Sequence, residues 1–212
     1  VVVGEEPHTW QPRILRLASG RQIETGSVSL PVEDGRVHSG ILVFRLDSGS
    51  VVLRIGTAGI EEFDRKAQPA VPGTWVTAPT RGTPARGVLL NAAFQIDTGR
   101  ATLALGKSAT QINTTLTQTL ANEISPALID LQSDSESNWP ALAAQLGCSL
   151  SVSPAGFWYG LWEKLLGELP EQDSAMDVRL LDTFASSVFR SQQQGASTVV
   201  HAAGVAGGHG AV

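Results

Sequence analysis

With 212 residues, 42% of them hydrophobic, the chain is long enough to bury a core of its own. It carries 15 Lys and Arg against 20 Asp and Glu, a net charge of −5, with three lysines and no basic run longer than Arg65-Lys66, so a phosphate backbone meets no clustered positive charge. No apolar run approaches the roughly 18 residues of a membrane-spanning helix, and a single cysteine, Cys148, excludes an intrachain disulfide framework.

Charge is divided unevenly along the chain. Residues 1–110 hold 12 basic against 10 acidic side chains, a net of +2, and residues 111–212 hold 3 against 10, a net of −7. That shift predicts a boundary near residue 110. A β-sandwich core would occupy 1–110, with an N-terminal arm over 1–12; a mixed α/β part over 111–194 would pack on it, and 195–212 would be a flexible or partner-docked tail. The chain opens Val1-Val2-Val3-Gly4 without a methionine or a charged leader, as a processed product or an excised piece does.

Pro7, Trp10 and Pro12 among polar residues describe an arm lying across a surface. Leu15 to Ile23, around Ser19-Gly20, reads as a weak hairpin. Ser27 to Leu30 alternates as a short strand ended by Pro31, and Glu33-Asp34-Gly35 makes the next turn. A stronger hairpin follows: Val43 to Leu46 alternates, Asp47-Ser48-Gly49 turns, and Val51 to Gly56 returns. It is written again fifty residues on, with Ala93 to Ile96, the corner Asp97-Thr98-Gly99 and Ala101 to Gly106, so Gly87 to Gly106 reads as a second strong hairpin. Between the two, Gly59 to Pro84 is irregular, broken by prolines 69, 72, 79 and 84, with Trp75-Val76-Thr77 as a short strand. Strands at this density with Gly and Pro corners predict a mainly β fold. It would be an antiparallel β-sandwich or jelly-roll-like domain, with a smaller C-terminal part carrying two or three α-helices.

Beyond Lys107 the pattern changes. Ile112, Leu116, Leu120 and Ile124 recur at helical spacing, whereas Thr114, Thr115, Thr117 and Thr119 favour a long strand; the reading leans to strand over 108–119. Ser133 to Ser137 is a polar linker, Asn138 caps a short helix with Pro140 early in it and Gly147 at its end, and Ser149 to Ser153 alternates as a strand. Phe157 to Leu169 and Ala175 to Arg190 each carry an apolar stripe and are predicted helices.

The corners carry the sharpest chemical possibility. Leu46-Asp47-Ser48-Gly49 and Ile96-Asp97-Thr98-Gly99 resemble the Asp-Ser-Gly and Asp-Thr-Gly signatures of aspartic proteases. The resemblance implies two carboxylates sharing one proton around a water, one acting as base and the other as acid. It covers about a dozen residues at each site and departs at Arg45, Gln95 and Arg100. Asp before Ser-Gly or Thr-Gly is also ordinary turn chemistry, and that reading is preferred. Histidines 8, 38, 201 and 209 stand apart from one another and from any ligand-type spacing, and no Gly-x-Ser-x-Gly elbow or phosphate loop is present, so no catalytic residue, metal or cofactor is expected. Cys148 reads as a small buried hydrophobe.

Two surfaces remain as candidates. Phe157, Trp158, Trp162 and Leu165 could anchor another subunit, and Trp10, Trp75 and Trp139 could stack on a glycan. Together with the Arg-over-Lys bias and the Ala, Gly, Ser and Thr content, these features favour a non-enzymatic assembly protein that self-associates through its β domain, arms and helices. A viral coat or capsid-surface subunit in the virion is the expectation, with homo-oligomer or other coat subunits as partners. A carbohydrate- or receptor-binding β-sandwich is the alternative, and an aspartic-type peptidase comes third.

Overall fold

A computed structural model describes residues 12–32, 35–57, 59–61, 73–76, 78–80, 87–99, 102–148, 150–166, 183–191 and 193–194. Eight strands among them form one sheet: β1 (Arg13–Arg16), β2 (Gln22–Val32), β3 (Gly35–Leu46), β4 (Gly49–Gly56), β5 (Gly59–Ile60), β6 (Thr74–Val76), β7 (Ala78–Pro79) and β8 (Val88–Ala92). Seven lie in the order β1-β2-β3-β4-β8-β6-β7, and β5 pairs with β4 off this path. All pairings are antiparallel except β6 with β8, so the sheet is mixed. The Asp47-Ser48 corner joins β3 to β4 with Phe44 opposite Val51 and Leu42 opposite Leu53. The weak upstream hairpin also forms, as β1 and β2, with Gly20 at φ 84 where the turn needs a positive angle. β2 continues through Pro31 to Val32; residues 33 and 34 of the next turn lie outside the described residues.

The sandwich expectation is overturned: the second layer is helical. One face of the sheet presents Ile23, Leu42, Phe44, Val51, Leu53, Ile55 and Leu90, all buried, to a core shared with residues of three helices. These are α1 (Lys107–Leu146), α2 (Pro154–Leu166) and α3 over 183–191. Residues 108–119, expected as strand, are the first turns of α1. The threonines fit because their hydroxyls donate to the carbonyls four residues back, Thr117 to Asn113 at 2.9 Å and Thr119 to Thr115 at 3.0 Å. Leu120, Ile124, Leu128 and Leu131 then lie on one side of the helix, buried in the same core as the sheet.

Ser133 to Ser137, read as a linker, lies inside α1. The helix breaks instead at Asn138 (φ −148, ψ 51), where a second helical segment begins with Pro140 near its start. Gly147 ends that segment at φ 70, and Cys148 N–H donates to Ala143 O at 2.9 Å in the pattern of a Schellman motif. The strand expected over Ser149 to Ser153 is absent from its described residues, which turn and bend. Ser153 caps α2 through a bond from Gly156 N–H to its Oγ at 3.1 Å, and Pro154 takes the first helical position. Of the predicted helix over Ala175 to Arg190, residues 175–182 lie outside the described residues; from 183 the chain is helical and buries Phe184 and Val188.

The second strong hairpin is not formed as predicted. β8 pairs with β4 and β6, and the Asp97-Thr98-Gly99 corner beyond it is closed by a single Ile96–Leu103 bridge. Backbone bonds from Ala104 N–H to Gln95 O and from Asp97 N–H to Thr102 O, both 2.9 Å, flank that bridge. Beyond it the Gln95 N–H turns to α1, donating to Asn113 Oδ1 at 2.7 Å, and the Asn113 amide also donates to Gln95 O at 3.1 Å.

Glycines set how closely the layers approach. A Cβ on Gly40 would lie 2.0 Å from Leu146 O, and one on Gly59, which has φ +106, would lie 2.4 Å from Leu161 N. Both neighbours are helix backbone and cannot swing aside. Gly40→Ala and Gly59→Ala should each lower the stability by about 2 kcal/mol or more. A fall in the urea midpoint at unchanged slope checks this, with Gly20→Ala as a comparison that carries only backbone strain, since nothing lies within 4 Å of its added Cβ.

Candidate functional site

The sequence repeats one kind of corner three times, and the structure gathers all three along α1. At the β1–β2 corner, Asp134 accepts from Ala18 N–H at 2.8 Å and Asp130 from Arg21 Nε at 3.1 Å. At the β3–β4 corner, Glu123 accepts from Ser48 N–H at 3.2 Å and from Ser48 Oγ at 2.7 Å. At the third, Asn113 holds both backbone groups of Gln95. Neighbouring anchors among Asn113, Glu123 and Asp134 are ten or eleven residues apart, so at 1.5 Å per residue each falls about 15 Å from the next. The first segment of α1 is a bar laid across the turn end of the sheet.

This arrangement bears on the two aspartates. Carboxylates that share a proton sit about 3 Å apart, whereas the Asp47 and Asp97 corners are held at points of α1 about 15 Å apart. Asp97 closes its own turn, accepting from Thr102 N–H at 3.3 Å and from Thr102 Oγ1 at 3.5 Å. Asp47 is exposed, and the carboxylate that ties its corner is that of Glu123.

The candidate anchor residues face inward. Phe157, Trp158 and Leu165 are buried, and Trp162 packs partly buried against the same core. Ring centroids run from Trp139 to Phe157 at 5.4 Å, to Trp158 at 5.4 Å and on to Trp162 at 6.2 Å. Each indole N–H has an acceptor: Trp139 donates to Val152 O, Trp158 to Ser135 Oγ and Trp162 to Gln132 Oε1. Of the candidate stacking residues, Trp139 is therefore part of this buried cluster. Trp75 is half-buried on β6 opposite Asn91 of β8, and Trp10 lies outside the described residues.

At the opposite end of β4, Arg54 is buried and pairs with Glu61 at 3.4 Å. Cys148 lies close by, its Sγ donating to Gly56 O at 3.6 Å. Burial, and secondarily the charge of Glu61, pushes the thiol up to about 12, so it stays protonated and unreactive in the folded chain. Among the described residues no three His, Cys, Asp or Glu side chains come close enough to hold a metal ion. Histidines 8, 201 and 209 lie outside them, and His38 is described in its backbone alone.

Asn113 and Glu123 were not singled out by sequence reasoning. Asn113 had a signal: with Leu120, Ile124 and Leu131 it falls on the apolar stripe of the helix, where a polar residue needs a buried partner. Comparison of the chain with protein-family models, with curated proteins and with solved structures gave no match.

Two outcomes are expected. Glu123→Ala removes the acceptor of both Ser48 donors and should cost about 1–3 kcal/mol in chemical denaturation, while Asp47→Asn should stay within about 0.5 kcal/mol of the parent. The raised Cys148 pKa also fixes a sign: the unfolded thiol ionises near 9.0 and the folded one near 12. Above pH 9 the unfolded chain binds fewer protons, so stability present below that pH falls as pH rises towards 12. The loss should be on the order of 1 kcal/mol per pH unit, and its absence in Cys148→Ala checks it.

Proposed function

We propose that the chain is a non-catalytic structural subunit that self-associates, of the kind that builds a coat such as a viral capsid surface. The observation that carries this reading is the bar of α1. The chemically suggestive side chains of the sheet end, Asp97, Glu123, Asp130, Asp134 and Asn113, are each engaged in holding a corner or fastening the helix to it. Their role is mechanical, since they fix a sheet end that hairpins alone would leave loose. Arg45–Glu24 across β3 and β2 and Arg54–Glu61 beside β4 act in the same way. The reading is further supported by what lies outside the bar, a long helix face that is exposed and carries little charge.

Sedimentation velocity across a micromolar concentration series, with electron microscopy of the most concentrated samples, tests it. Concentration-dependent growth to a defined oligomer or a regular array is expected. A monomer throughout the range would overturn the proposal. So would peptide cleavage by the purified chain that disappears in Asp97→Asn while the fold survives.

A further inference from the structure

The sheet ends in an open edge at β1. That strand stands first in the order β1-β2-β3-β4-β8-β6-β7 and pairs with β2 alone among the described residues. Leu17 N–H donates to Arg21 O in step with the β1–β2 register, so the backbone groups of Arg13 and Leu15 face β2 and those of Ile14 and Arg16 face outward. Ile14 is 47% exposed. Arg13 and Arg16 are exposed as well, and neither meets a carboxylate among the described residues. Such an edge is a template for a further strand, but it rejects its own copy. Arg-Ile-Leu-Arg laid antiparallel on itself sets Arg13 opposite Arg16 at both ends, and like charges directly opposite destabilise a pair. What the edge fits is an acidic strand, and the chain holds one ahead of β1, outside the described residues: Val3-Gly4-Glu5-Glu6.

From this we infer that residues 3–6 of a second copy add to the edge of β1, and that two copies do so reciprocally about a two-fold axis between Thr9 and Trp10. The inference rests on the assembly reading and names its contact. In the antiparallel register Glu6 lies opposite Arg13 of the other copy, while Glu5 lies opposite Ile14 and diagonal to Arg16, so each acid meets a free arginine. The outward backbone groups of Ile14 and Arg16 meet those of Glu5 and Val3, which both carry an N–H. The next pair in that alternation is Pro12 with Pro7, which have none, and the ladder ends there. With acids at one end of the stretch and bases at the other, a reversed copy is its complement, as a two-fold contact requires.

The prolines select a second copy over the chain's own residues 3–6. To lie on its own β1, that stretch would have to reverse within Pro7-His8-Thr9-Trp10-Gln11-Pro12. Pro7 and Pro12 keep Glu6 and Gln11 before them extended, and the six residues include no Gly, Asn or Asp to take the left-handed angle of a tight hairpin. Kept straight, residues 1–16 of two copies run past one another in this register with no reversal at all.

Charge exchange on the full-length chain tests this. Glu6→Arg sets arginine opposite arginine at both ends of the contact, and Arg13→Glu sets glutamate opposite glutamate. Each should weaken dimerisation by about tenfold or more in sedimentation equilibrium. An equimolar mixture of the two variants should recover association, because every such pair then joins an acid on one chain to a base on the other. Arg13 is exposed, so unchanged circular dichroism is expected. If the parent chain associates and neither substitution weakens it, the strand exchange is refuted, although the assembly reading stands. If both weaken association and the mixture stays weak, the charges do not meet between chains and the exchange is refuted again. If the parent chain does not associate at all, both inferences fail.

Discussion

The structure depends on the hydrogen bonds by which α1 satisfies the turn end of the sheet. A corner of a β-hairpin leaves backbone donors and acceptors that must find partners once a helix covers them. Asn113, Glu123 and Asp134 supply those partners to Gln95, Ser48 and Ala18. Dependence runs in both directions. The first turns of α1 are rich in threonine and have no side-chain cap on Gly106, so the helix has little local reason to form. It persists because one side is fastened to three corners and the adjoining stripe is buried under Leu42, Leu53 and Leu90. Sheet and helix each supply what the other lacks.

Local features were legible and distant ones were not. The β3–β4 hairpin could be read because alternation and the Asp47-Ser48-Gly49 corner lie within fourteen residues, and Gly147 could be read as a helix end because its neighbours determine it. The layer opposite the sheet could not. A sandwich and an open sheet under helices ask the same alternation of their strands, and only the second layer distinguishes them. That layer hinged on 108–119, where threonines spoke for strand and the four-residue apolar spacing for helix. Spacing prevailed because a threonine hydroxyl can return to the helix carbonyl four residues back, as Thr117 does to Asn113. The parallel pairing of β6 with β8 has no local signature at all.

The two duplicated corners show how one sequence pattern acquires two structures. Asp47-Ser48-Gly49 sits between strands that pair along seven residues, and Asp97-Thr98-Gly99 sits beyond a strand that stops at Ala92. At the second corner the Gln95 N–H goes to the Asn113 amide of the helix, while its carbonyl keeps a bond from Ala104 N–H across the turn. Likeness of sequence recorded the turn correctly in both cases. It carried no information on which partner would claim the flanking backbone. The aromatic cluster around Trp158 posed the same difficulty in another form: periodicity marks a stripe to be covered, and the indole bonds to Ser135 and Gln132 reveal that α1 of the same chain covers it.

The acidity of residues 111–212 acquires a different meaning in three dimensions. Counted along the sequence, that half would project a strong negative field. Glu123, Asp130 and Asp134 are directed to Ser48, Arg21 and Ala18, however, so part of the charge is neutralised or held by donors at the sheet end. What remains exposed between Ser108 and Pro126 of α1 is amide, hydroxyl and apolar surface. The same residues that fasten the helix therefore also decide what its free side can meet: drawing the carboxylates inward leaves a face that neither repels another acidic chain nor attracts a basic one.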